Sequence, residues 1–167
     1  MSATSPGLDG IETEAGVAAA RAGGEGKRAH DWAGSLRLVR RIAAIVDAKQ
    51  GSELVAVDVR ELVSYTDILL IATARNERLA RAIAEDVRLE LKREDRLLPT
   101  RVEGEGDASW ILVDYLDCVL HVFQPETRAR YRLEQLWGEA PRVDLELGEP
   151  TAAEADEGTA GTGGPAT

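Results

Sequence analysis

The run Asp67-Ile68-Leu69-Leu70-Ile71-Ala72-Thr73 constrains this chain more than any other segment. It is short, rich in branched aliphatics and apolar at successive positions, so both of its faces need cover. Such a strand sits in the middle of a sheet, with other strands beside it and helices above or below. The flanking periodicity supplies those partners. Residues 36–49 put Leu36, Val39, Ile42, Ala43 and Val46 on one helical face, with Ser35 as N-cap and Gly51 as the stop. Leu54-Val55-Ala56-Val57-Asp58-Val59 reads as a strand. Residues 77–94 form a second helix, capped by Asn76 and striped by Leu79, Ala80, Ile83, Val87 and Leu91.

Beyond Pro99, Thr100–Glu103 reads as a short edge strand. Trp110–Val113 and Cys118–Phe123 flank Asp114-Tyr115-Leu116-Asp117 as a hairpin. Pro125 suits the first turn of a third helix running to Trp137, and Pro141 ends it. Val143–Leu147 alternates like a final strand. The order implies an α/β sandwich, a mixed sheet of about five strands packed with helices on one or both faces.

Apolar content falls away outside 35–147. Residues 148–167 hold no Leu, Ile, Val or aromatic side chain, and 1–34 are Gly/Ala-rich with few strong apolar groups. Neither segment can offset its ordering entropy by burial, so a disordered N-terminal tail (1–34) and a disordered acidic C-terminal tail (148–167) are expected. The formal charge of −10 divides accordingly: −2 and −4 in the tails, and −4 in the folded part, from 17 basic and 21 acidic residues. A mildly acidic domain lacks the clustered cationic face that grips nucleic acid through phosphates. No apolar run approaches the roughly 18–20 residues that span a bilayer, so no membrane partner and a cytoplasmic location are expected. Cys118 is the single cysteine, which excludes an internal disulfide. His30 and His121 are the only histidines, too few for an imidazole-built metal centre.

Chemical motifs are sparse. There is no glycine-rich phosphate loop; Gly104-Glu105-Gly106 lies between strands and reads as a turn. Cys118 in the run Cys-Val-Leu-His-Val-Phe reads as a small core residue, and His121, three residues on, falls on the opposite strand face. Asp114 and Asp117 admit two readings: a magnesium-holding pair for nucleotide chemistry, or turn residues that satisfy backbone groups. Five of the seven aromatic residues fall within 110–137. Aromatic side chains among mixed charges are typical of binding surfaces. Trp137 is open to a core or an interface role, and Tyr115, in the hairpin, leans toward interface.

A wider pattern joins these pieces. Asp58-Val59-Arg60-Glu61-Leu62-Val63-Ser64-Tyr65-Thr66-Asp67, Ile71-Ala72-Thr73, Asn76-Glu77-Arg78 and Ala82-Ile83-Ala84 are followed by Glu103-Gly104, Trp110–Asp117, Val119–Phe123, Glu126-Thr127-Arg128, Tyr131–Trp137 and Ala140-Pro141. In order and spacing, over about 105 residues, this resembles the ribosomal silencing factor family (RsfS, or Iojap). The resemblance implies a non-enzymatic translation factor without cofactor or metal, with a nucleotidyltransferase-like α/β core that has lost its catalytic apparatus. It implies binding to the large ribosomal subunit through ribosomal protein L-fourteen, which blocks joining of the small subunit and damps translation under nutrient limitation. A role in large-subunit maturation is also implied by relatives.

The same resemblance puts the contact surface on the 110–121 hairpin and the last helix. The candidates are Trp110, Leu112, Asp114, Tyr115, Asp117, His121, Tyr131, Glu134 and Trp137. Arg78 and Asp67 match family positions as well and read as an Arg–carboxylate pair. A magnesium-dependent nucleotidyltransferase and a homodimeric interaction domain are the alternatives. Two positions depart from the family pattern, Ala74 and Leu116, each standing where relatives commonly carry glycine. Without that glycine, the strand at Leu116 is expected to continue or bulge rather than turn tightly.

Overall fold

A computed structural model describes residues 31–148. In chain order these form α1 (Trp32–Ala48), β1 (Ser52–Asp58), β2 (Ile68–Thr73), α2 (Glu77–Glu94), β3 (Arg101–Glu103), β4 (Trp110–Asp114), β5 (Cys118–Phe123), α3 (Pro125–Tyr131) and α4 (Leu133–Leu136). The expected tails lie outside the described residues except at their inner ends. There Trp32–Gly34 open α1 instead of closing a tail. Asp31 is the cap in place of Ser35, its Oδ1 accepting the Gly34 N–H at 2.9 Å. The Trp32 ring gains cover from the Arg60 guanidinium, 3.5 Å above its centroid.

The strands form one sheet in the order β1-β2-β5-β4-β3. β2 runs antiparallel to β1 and parallel to β5, with Ile68 opposite Cys118 and Thr73 opposite Phe123. Every residue of β2 and β5 is buried, as a strand apolar on both faces requires. One sheet face meets α1 and α2. Val39, Ile42 and Val46 of α1 and Ile83, Val87 and Leu91 of α2 pack on Ile68, Leu70, Leu120 and Val122 in one core cluster. Each such side chain contributes about 1.5–3 kcal/mol by leaving water.

Local chemistry sets the boundaries. Asn76 caps α2 as expected, its Oδ1 accepting the Leu79 N–H at 2.8 Å. α1 ends in a paired-bond cap: Gln50 takes the left-handed conformation (φ 69°) and Gly51 follows, donating to the Val46 carbonyl at 2.9 Å. The third helix is not continuous. It breaks at Arg132, which is left-handed at φ 46°, into α3 and α4. Nor is Val143–Leu147 a strand. Pairing with β1 stops at the Val57–Arg142 bridge and the Val143 N–H bond to the Ala56 carbonyl, after which the segment kinks at Glu146 (φ 51°). Its alternation is nonetheless used, because Val143, Leu145 and Leu147 pack against the large core cluster.

The β4–β5 hairpin is tight despite Leu116. Tyr115 N–H donates to the Cys118 carbonyl at 3.0 Å, Leu116 sits at φ 70°, and the Asp114 carboxylate accepts the Leu116 N–H at 2.8 Å. The aspartate stabilises a backbone shape that leucine itself disfavours. Asp67 and Arg78 do not form the expected pair. Asp67 precedes β2 and accepts the Ser35 hydroxyl at 2.6 Å, whereas Arg78 lies in α2 beyond the far end of that strand. No helix among the described residues is long and apolar enough to cross a membrane.

Candidate functional site

The second sheet face is only partly covered, and the candidate site is built there. Alternation along β4 sends Ile111 and Val113 toward α1 and α2, and Trp110, Leu112 and Asp114 to the second face. On β5 the same face carries Val119, His121 and Phe123. Trp110 stands opposite Phe123 and Leu112 opposite His121. The Trp110 ring stacks on Phe123 with centroids 4.7 Å apart, and Tyr131 of α3 tilts against it at 5.3 Å. Leu112 and Trp137, both half-buried, pack on a second cluster of Val57, Val59, Leu69, Val119 and Ala140. The result is a band, Tyr131–Trp110–Leu112–Trp137, whose four side chains are all half-exposed. Leu136, 70% exposed on α4, adjoins Trp137 in the chain.

One arginine holds α3 and α4 against this face. Arg128 Nη1 donates to the Glu53 carbonyl and to Thr73 Oγ1, each at 2.7 Å, and Nε donates to Glu134 Oε1 at 2.6 Å. The Glu53 carbonyl is available because β1 has a register irregularity there, with Glu53 at φ 50°. Glu134 is thus committed within the fold, its carboxylate three-quarters buried against Arg128.

The predicted contact residues divide. Trp110, Leu112, Tyr131 and Trp137 lie together on the second face. Asp114 is half-buried and spends one oxygen on the hairpin, in keeping with the turn reading; Asp117 is exposed at its tip. Tyr115 is not a surface group. At 3% exposure it packs into the large cluster on the opposite face, and burial pushes its phenol up to about 12. Alternation continues one residue past β4, which carries this ring into the core. His121 is also buried, 7% exposed beneath Trp110, and desolvation lowers its imidazole to about 4. Cys118 faces the other core and burial raises its thiol far above the ordinary range, so it is inert as a nucleophile. Among the described residues no three His, Cys, Asp or Glu side chains group to hold a metal ion. Arg128 and Leu136 were missed as individual residues. A lone arginine six positions before a glutamate, and a leucine beside Trp137, carry no distinct sequence signal.

A band of half-exposed rings and aliphatics with charged neighbours is suited to gripping a protein surface rather than to bond chemistry. The model of the ribosomal silencing factor acting during starvation, RsfS, matches residues 32–164. The ribosomal silencing factor of Halalkalibacterium halodurans is 38% identical over 101 residues, covering 60% of this chain and 86% of its own. That of Bacillus subtilis is 33% identical over 111 residues, covering 66% and 93%. The chloroplastic Iojap protein of maize is 34% identical over 111 residues, covering 61% of this chain and 46% of its own. A crystal structure of a Bacillus halodurans protein superposes with a TM-score of 0.57 at 33% identity, covering 65% of this chain and 97% of that one. With a matching α/β architecture and a family match across nearly the whole described domain, this chain belongs to the ribosomal silencing factor family.

Proposed function

We propose that this protein silences translation by binding the large ribosomal subunit through ribosomal protein L-fourteen, sterically preventing the small subunit from joining. The observation that carries this reading is the half-buried aromatic and aliphatic band Tyr131–Trp110–Leu112–Trp137, with Leu136 exposed beside it. Half-exposed aromatics lose their remaining hydration in a complex, and such groups dominate interface energetics. The domain's slight negative charge suits a basic protein partner better than bare RNA, because phosphate contacts require clustered cations. Mechanism then needs no chemistry: a folded body seated on the intersubunit side excludes the other subunit. The names of the relatives, silencing factors among them, support the same reading.

The test is sedimentation with purified subunits. The protein should comigrate with large subunits alone and lower the yield of joined ribosomes. Leu136→Asp, which places a charge beside Trp137 at a position 70% exposed, should weaken comigration about tenfold or more. Unchanged joining at saturating protein overturns the proposal.

A further inference from the structure

His121 was expected at the contact surface and is instead covered by it. It lies diagonally across the β4–β5 ladder from Trp110, and the indole Nε1–H donates to His121 Nδ1 at 3.0 Å. An indole can only donate, so this bond requires Nδ1 to carry the lone pair and Nε2 the proton. The rings are 5.8 Å apart and tilted by 43°, so the pair is joined edge to edge by the hydrogen bond rather than by stacking. Phe123 below and Tyr131 beside the indole limit its tilt, but neither offers its nitrogen a partner. Among the described residues the histidine alone supplies a hydrogen bond to this half-buried ring, and with it a directional constraint.

We propose that His121 is a positioning residue for the docking band: it touches no partner and acts by holding the Trp110 indole in its binding orientation. This rests on the docking role assigned above to the band. A free indole at a sheet surface would turn among its rotamers and lose that freedom on binding. A ring already fixed by one buried acceptor has less to lose, which strengthens association without any added contact. The pairing also decides which edge of the indole faces outward. With Nε1–H turned inward to His121, the surface presented to a partner is the hydrocarbon edge and face of the ring. That geometry fits an apolar socket on a protein better than a hydrogen-bonding groove.

The experiment uses the full chain and purified large subunits. His121→Leu removes the acceptor and His121→Asn keeps one close to the position of Nδ1. Trp110→Phe keeps an aromatic ring without the N–H. His121→Leu should weaken sedimentation with large subunits about tenfold, while His121→Asn stays within about twofold of the parent. In the Trp110→Phe background, His121→Leu should cause no further loss. Equal loss in both backgrounds would mean that His121 acts independently of the indole and overturns the proposal, as would parental binding by a folded His121→Leu protein. If His121→Leu fails to fold, parental binding by Trp110→Phe serves as the overturning result. A readout free of the ribosome separates this idea from the docking reading. By nuclear magnetic resonance the Trp110 indole proton should exchange slowly in the parent and in His121→Asn, and quickly in His121→Leu. Fast exchange in the parent sinks the positioning role even where subunits bind. Slow exchange without subunit binding sinks the docking role alone.

Discussion

Replacing Arg128 with methionine should cost about 3 kcal/mol of folding stability. The side chain is 10% exposed and bonds to the Glu53 carbonyl, to Thr73 Oγ1 and to Glu134, joining α3 and α4 to β1 and β2. Removing one member of a buried, hydrogen-bonded ion pair costs about 3–5 kcal/mol, because the partner keeps its desolvation without its counter-charge. Two facts pull the figure to the lower end. The Glu134 side chain is 25% exposed and can rehydrate in part, and methionine preserves the packing of the arginine stem. Lysine keeps the charge but lacks the fork that serves three acceptors in different directions, so Arg128→Lys should lose about 1–2 kcal/mol. Urea unfolding followed by far-ultraviolet circular dichroism measures both. Adding Glu134→Gln completes a cycle in which the pair should couple by about 1 kcal/mol or more. If the methionine variant loses less than about 0.5 kcal/mol at an unchanged m-value, the arginine does not clamp these helices and the reasoning fails.

His121 makes stability pH-dependent. Its folded value of about 4 lies below the ordinary 6.5, so between those values the unfolded chain binds a proton that the folded chain excludes. Stability therefore falls as pH drops through that window, by about 2 kcal/mol between pH 7 and pH 5; His121→Asn should flatten the slope by that amount, and identical slopes would refute it. Leu116 sits at φ 70° with 42% of its surface exposed, so Leu116→Gly should stabilise by about 0.5–1 kcal/mol in the same urea assay. Destabilisation would show that the hairpin depends on the leucine side chain. At Gly104 (φ 85°) a Cβ would lie 1.9 Å from the Trp110 carbonyl oxygen, whereas at Gly106 it would meet nothing within 4 Å. Gly104→Ala should cost about 2 kcal/mol or more and Gly106→Ala under about 0.5 kcal/mol, and equal costs would contradict the close approach.

The parts of the fold legible in the sequence were those governed by burial. β2 announced itself through six consecutive residues that all need cover, and α2 through its stripe and Asn76 cap. The misreadings fell where a few backbone angles decide. Nothing in Tyr131-Arg132-Leu133 reveals a left-handed arginine, which is tolerated because Arg128 fixes both sides of the break. Leu116 argued against a tight turn, yet the neighbouring Asp114 supplied the bond that makes one. In the candidate site, alternation correctly separated Cys118 from His121. It could not show that Tyr115 continues the alternation into the core, nor that the ring of Trp110 would roof over His121.

The parallel seam between β2 and β5 has a kinetic consequence. Every partner across it, from Ile68–Cys118 to Thr73–Phe123, is separated by 50 positions in the chain. Closing a loop of that length costs about 3–4 kcal/mol of chain entropy before any of the seam's burial is recovered. β1–β2 and β4–β5 are instead joined by short connections and can form as local hairpins. The meeting of these two hairpins along their inner strands is thus the expected rate-limiting event, and a nascent chain cannot complete its sheet until Phe123 has been synthesised. Truncating Leu120 in the seam should then slow refolding, while loosening the distant edge at Val102 should mainly hasten unfolding.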